Sequence, residues 1–108
     1  MRPTRPADER RARHEAAGEW PQPTLSALLD ARRGADAARV FMIEGVRSGG
    51  RQFTYGELAA RADRIAVALR KLGVDAGDVV SWQLPNWFEG AALAAAIDRI
   101  GAISNPII

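Results

Sequence analysis

The sequence predicts an α/β fold: an incomplete doubly wound domain with a β-hairpin on its N-terminal side. Three observations carry that prediction. An amphipathic helical stretch opens at Thr54 behind a capping pattern, a strand–helix–strand pattern runs from Val79 to Ser104, and two short apolar runs between Val40 and Phe53 flank a glycine-rich loop.

The first 20 residues are polar and proline-punctuated. Arg2, Arg5, Arg10, Arg11 and Arg13 interleave there with Asp8, Glu9, Glu15 and Glu19. With no sustained apolar period, residues 1 to 20 read as a flexible polar arm, and Pro21 and Pro23 separate them from a domain at 21 to 108. Thr24 can cap a short helix whose Leu25, Leu28 and Leu29 share one face, with Gly34 relieving left-handed strain at its end. Val40, Phe41, Met42 and Ile43 form an apolar run, Gly45 to Gly50 interrupts it, and Arg51 to Phe53 resume extended structure; this is a hairpin pattern.

Thr54 and Glu57 stand three apart, so the hydroxyl can accept the Glu57 amide while the carboxylate reaches back to the Thr54 amide. The helix that follows places Leu58, Ala62, Ile65, Ala66, Leu69 and Leu72 on one stripe, and Arg70 and Lys71 favour its C-terminal dipole before Gly73 stops it. Asp75-Ala76-Gly77-Asp78 makes a turn. Val79 to Leu84 then reads as a central, parallel strand, apolar on both faces at most positions. Pro85 ends it, Asn86 and Glu89 form a second capping pattern, and Ala91, Ala92, Ala95 and Ala96 give the next helix a small-residue surface suited to lying on a sheet. Gly101 ends that helix, and Ala102-Ile103-Ser104 starts a strand parallel to the first.

A chain of 108 residues holds one small domain. Its 47% hydrophobic and 26% charged composition is that of an ordinary globular protein. The longest apolar run, Ala91 to Ile97, is far short of the roughly 20 residues a membrane span needs, and no apolar segment of a secretory signal follows the arginines of the arm. Without cysteines there is no disulfide, thiolate zinc ligand or thiol nucleophile, so a cytoplasmic setting is expected. The formal charge is only +2, and the basic residues are mixed with acids and lack a recognition motif, so no nucleic-acid partner is expected.

Few residues invite chemistry. His14, the single histidine, lies in the polar arm without evident partners for metal binding or base catalysis. Asp75 and Asp78 flank Gly77 and are turn formers rather than paired catalytic carboxylates. The Gly45–Gly50 loop joins two strands and lacks the lysine and hydroxyl of a phosphate-binding loop. Trp82 and Trp87 bracket Pro85 near the carboxyl end of a parallel strand, where open α/β sheets bind ligands, although buried packing or an interface with the remainder of a larger protein is the preferred role for two indoles there. The N–H groups of the helix beginning at Asn86 could hold an anion, but Asn86 and Glu89 are expected to satisfy them. No catalytic, cofactor-binding or metal-binding residue is therefore assigned.

Four segments together carry a resemblance. Phe53-Thr54-Tyr55-Gly56-Glu57-Leu58 is similar to the first core motif of the adenylate-forming superfamily, and Ile97 to Pro106 resembles its second. Between them Gly73 to Val80 resembles the family's Leu-Gly-Val-x-x-Gly-Asp-x-Val stretch, and Leu84-Pro85-Asn86 its helix start. The resemblance covers residues 24 to 108. Asn105-Pro106 resembles acyl-CoA synthetases more than peptide-synthetase adenylation domains, and Val80 to Trp87 is similar to the cyclohexanecarboxylate-CoA ligase branch.

The resemblance implies the N-terminal portion of the family's large domain, truncated before its phosphate loop. It implies a two-step reaction in the full-length family, carboxylate adenylation by ATP with magnesium and then thioester formation with CoA. The family's phosphate loop does not occur in these residues, and the only lysine, Lys71, ends a packing helix. The expectation is thus a fragment that binds no cofactor and is inactive alone, partnered by the remainder of a ligase. The alternative is a non-catalytic interaction or dimerisation module that docks a partner or a second copy through an unpaired sheet edge.

Overall fold

The computed structural model describes residues 7–20 and 23–108. Expectations placed on Arg2, Arg5 and Pro21 lie outside the described residues.

Helix α1 spans Asp8–Ala16 and buries none of its residues. It lies within the stretch read as a flexible polar arm, and its local chemistry explains the helix: Asp8 and Glu9 stand in the first turn, Arg13 and His14 in the last, and Arg11 pairs with Glu15 at 2.9 Å one turn away. None of these signals is an apolar period.

Helix α2 spans Leu25–Arg32, and Thr24 Oγ1 accepts the Ala27 N–H at 3.1 Å as its sequence predicts. Only Leu29 of its leucines is buried, while Leu25 and Leu28 are exposed. Gly34 plays no left-handed role; the helix ends at Arg33 in right-handed geometry, and Gly34 O accepts from Ala37 N in the turn that follows.

Strands β1 (Val40–Glu44) and β2 (Arg51–Thr54) form the expected antiparallel hairpin, with a bulge between Val40 and Met42. Its loop closes through a 3₁₀ turn, Val46–Ser48, with Gly45 and Gly49 left-handed on either side. Helix α3 (Tyr55–Lys71) starts at the complete capping box: Glu57 N donates to Thr54 Oγ1 at 3.2 Å and Thr54 N donates to Glu57 Oε2 at 2.8 Å. Leu58, Ala62 and Ala66 are buried and Ile65 and Leu69 pack beside them, but Leu72 falls off the stripe as the helix ends and is 80% exposed.

Strand β3 spans Val79–Trp82, helix α4 Phe88–Arg99 and strand β4 Ile103–Pro106. β3 and β4 are parallel, with Val79 opposite Ile103 and Trp82 opposite Pro106. Among the described residues no third strand joins them, so the expected central strand is one of a pair; Val79 and Ser81 are exposed, and β4 is exposed throughout.

The core lies between the helices and the hairpin. Ala92, Ala95 and Ala96 of α4 are buried with Ala62 and Ala66 of α3, so the small-residue surface serves a close helix–helix contact more than the sheet. At one end the Phe53 and Phe88 rings stack with centroids 4.0 Å apart and planes 3° from parallel. Phe88 is 1% exposed; burying such a ring contributes about 1.5–3 kcal/mol. At the other end polar contacts fasten α2 to both long helices. Asp98 Oδ2 accepts Ser26 N at 2.8 Å and Ser26 Oγ at 2.7 Å, Arg33 reaches Asp63 at 2.8 Å, and Arg99 reaches Asp30 at 2.9 Å. Arg99 Nε lies 3.2 Å from Asp63 Oδ1 without hydrogen-bond alignment, so that contact is electrostatic.

Candidate functional site

The hairpin, the β3–α4 loop and the last residues surround two adjoining clefts. The start of α4 fixes their shape. Pro85 interrupts the chain after β3, and the helix N-cap falls on Trp87, one residue beyond the expected Asn86, without a side-chain cap of its own. The cap comes from across the fold: Glu44 Oε1, at the end of β1, accepts the Phe88 N–H. A carboxylate at this position neutralises the positive end of the helix dipole and satisfies one of its unpaired donors. The Asn86–Glu89 capping pattern is therefore not the one used.

Two clefts meet on either side of Asn86 and Trp87. One, of about 620 Å³, lies under the hairpin loop and is lined by Met42, Glu44, Gly50 and Arg51. The other, of about 690 Å³, is apolar and lies beyond the carboxyl ends of β3 and β4, between Trp82, Leu84, Trp87, Ala91 and Ile107. Trp82 is half-buried in its wall. Its Nε1 donates to Ser104 Oγ at 2.9 Å, and its ring lies 3.5 Å from the Cβ position that a side chain at Gly90 would occupy. Trp87, by contrast, is 54% exposed.

The structure brings none of the candidate chemical groups together. His14 Nδ1 is 2.5 Å from Glu19 Oε2 and its ring lies against Trp20. Asp75 N donates to Asp78 Oδ2 at 2.7 Å inside the turn, while Asp75 also pairs with Arg70 at 2.8 Å. Lys71 stands exposed at the end of α3. Among the described residues no group of three or more His, Asp or Glu side chains is placed to hold a metal ion. Nor does the α4 N-terminus suit a nucleotide phosphate, since Glu44 already holds its first N–H. Sequence reasoning missed Glu44, because its partner lies 44 positions away and no local pattern marks the pair.

Fold and site together define an α/β unit with two clefts beside the start of α4, one of them apolar. The chain belongs to the AMP-binding enzyme family, which matches it over residues 29–108. It is 45% identical over 100 residues to a salicyl-AMP ligase/salicyl-S-ArCP synthetase of Mycobacterium tuberculosis, a match covering 91% of this chain and 17% of that protein. It is 40% identical over 102 residues to a 2-hydroxy-7-methoxy-5-methyl-1-naphthoate–CoA ligase of Streptomyces carzinostaticus, covering 89% of this chain and 16% of that one. The solved N-terminal domain of FACL13 from Mycobacterium tuberculosis superposes with a TM-score of 0.70 at 29% identity, over 80% of this chain and 21% of that domain. The chain thus spans about a sixth of the length of these curated relatives. The adenylate-forming resemblance and the α/β fold class stand, and among the described residues no helix is long and apolar enough to cross a membrane.

Proposed function

We propose that these residues form the N-terminal scaffold of an ATP-dependent acid–CoA ligase and contribute no catalytic, cofactor-binding or metal-binding side chain to it. The observation that carries the reading is the family match over residues 29–108 in a chain spanning about a sixth of its relatives. Both relatives named above carry the name of an aromatic acid ligase, which supports a carboxylic acid substrate. In this reading ATP, magnesium and CoA are held by the remainder of the ligase, in a cytoplasmic setting. That remainder is also the partner that covers Trp87, Leu84 and Ile107. Acid-dependent ATP–pyrophosphate exchange tests the reading: the 108-residue chain should give none above background, and turnover by it would refute the scaffold role.

A second reading is a non-catalytic module that pairs through its sheet. It is favoured by one observation: β4 is exposed throughout, and the β3–β4 pair has no further strand among the described residues. Sedimentation velocity separates the two, because this reading requires a concentration-dependent dimer.

A further inference from the structure

Six of the twelve arginines among the described residues are neutralised. Arg11, Arg32, Arg33, Arg39, Arg70 and Arg99 each lie against a carboxylate. Arg51, Arg61 and Arg64 have no carboxylate partner among the described residues, yet all three line one cleft of about 220 Å³ beside the hairpin and α3. Arg61 and Arg64 stand three positions apart on α3 and so share a face, while Arg51 approaches from β2. Two of them are positioned by aromatic rings: the Arg51 guanidinium carbon is 4.6 Å from the Phe53 centroid, and that of Arg61 is 5.9 Å from the Phe88 centroid. The stacked pair thus forms a rigid floor beneath two guanidiniums.

The single acid in the cleft is Glu57, and its Oε2 already accepts the Thr54 N–H. Three guanidiniums and one carboxylate leave two positive charges unmatched in a small space. Covering the aromatic stack uses the flat faces of Arg51 and Arg61 but pairs neither charge with a carboxylate, and the helix cap is complete without the arginines. Guanidinium forks match tetrahedral phosphate oxygens in pairs, and a phosphate monoester near pH 7 carries about −1.5 to −2, which balances the cleft better than a single carboxylate does.

We propose that Arg51, Arg61 and Arg64 form a binding site for a phosphate monoester dianion, separate from any site of adenylation chemistry. The test is isothermal titration of the full 108-residue chain at low ionic strength with three probes: inorganic phosphate, O-phosphoserine, and a phosphoserine-containing peptide. Saturable one-to-one binding is expected, weakened about tenfold or more in Arg61→Gln and in Arg64→Gln and unchanged in Arg10→Gln/Arg13→Gln, whose arginines are exposed on α1. Arg61→Lys keeps the charge and the stem but loses the fork, so it should also weaken binding, with circular dichroism confirming that each variant is folded. Tighter binding of the peptide would assign the phosphoryl group to a polypeptide, and equal affinities would assign it to a small ester. Binding that does not saturate, that survives Arg61→Gln and Arg64→Gln, or that succinate reproduces at equal strength would overturn the proposal.

Discussion

Glu44 ends a strand by sequence but acts on a helix. Its carboxylate supplies the cap that Trp87 lacks, and replacing it by alanine would leave the first turn of α4 without that acceptor. Glu44→Ala should therefore lower stability by about 1–2 kcal/mol in urea denaturation, whereas Asn86→Ala should stay within about 0.5 kcal/mol. Equal effects at the two positions would contradict the cap assignment. Asp36 offers a second residue-scale prediction. It accepts hydrogen bonds from Arg32 at 2.8 Å and from Arg39 at 3.5 Å, and chiefly the Arg32 bond holds its carboxyl below the ordinary 3.8. A depressed folded value means that these contacts add stability above the unfolded pKa and lose it as pH falls through the lower folded one. Carbon-13 NMR titration should find the Asp36 midpoint below 3.8, and Arg32→Ala should raise it.

At the scale of elements, the contact between α3 and α4 depends on alanines. Ala62, Ala92 and Ala96 are fully buried, so the helices approach closely and leave no room for a larger side chain. Ala96→Leu should cost about 1–3 kcal/mol by overpacking, read as a lower urea midpoint; an unchanged midpoint would mean that the interface is looser than this. The charged contacts that hold α2 differ in kind. Arg33 and Asp63 are substantially exposed, so Arg33→Gln should cost less than about 1 kcal/mol, with an effect that shrinks in high salt.

What was legible in the sequence follows the same division between local and distant causes. The Thr54–Glu57 box, the hairpin loop, the stops at Gly73 and Gly101 and the turn at Gly77 were readable because each is settled within a few residues, and all three of these glycines have positive φ. The α4 cap and the arginine cleft were not readable, because their parts come from β1, β2, α3 and α4 and meet only in the fold. Helix α1 escaped a search for apolar periods because it has no apolar face to find.

Across the whole molecule, the core gathers where the helices meet the hairpin, while large apolar side chains stay exposed on α2, on the hairpin and around the parallel pair. Val79, Leu84, Trp87, Ile103 and Ile107 are each more than a third exposed. That distribution predicts strong binding of a hydrophobic dye by the folded 108-residue chain, reduced when the remainder of a ligase is supplied in trans. Dye fluorescence no higher than that of an ordinary globular control would argue that these faces are covered some other way. The Glu44–Phe88 bond also has a consequence in time. The two residues are 44 positions apart, so the start of α4 can be secured only after the intervening chain has folded back and brought the hairpin to it. Helix α3, whose cap lies within its own first turn, needs no such wait. Stopped-flow refolding of Glu44→Ala should therefore show most of its lost stability as faster unfolding, with the refolding rate little changed. The hairpin would then act as a latch that closes late and governs how long the folded chain persists.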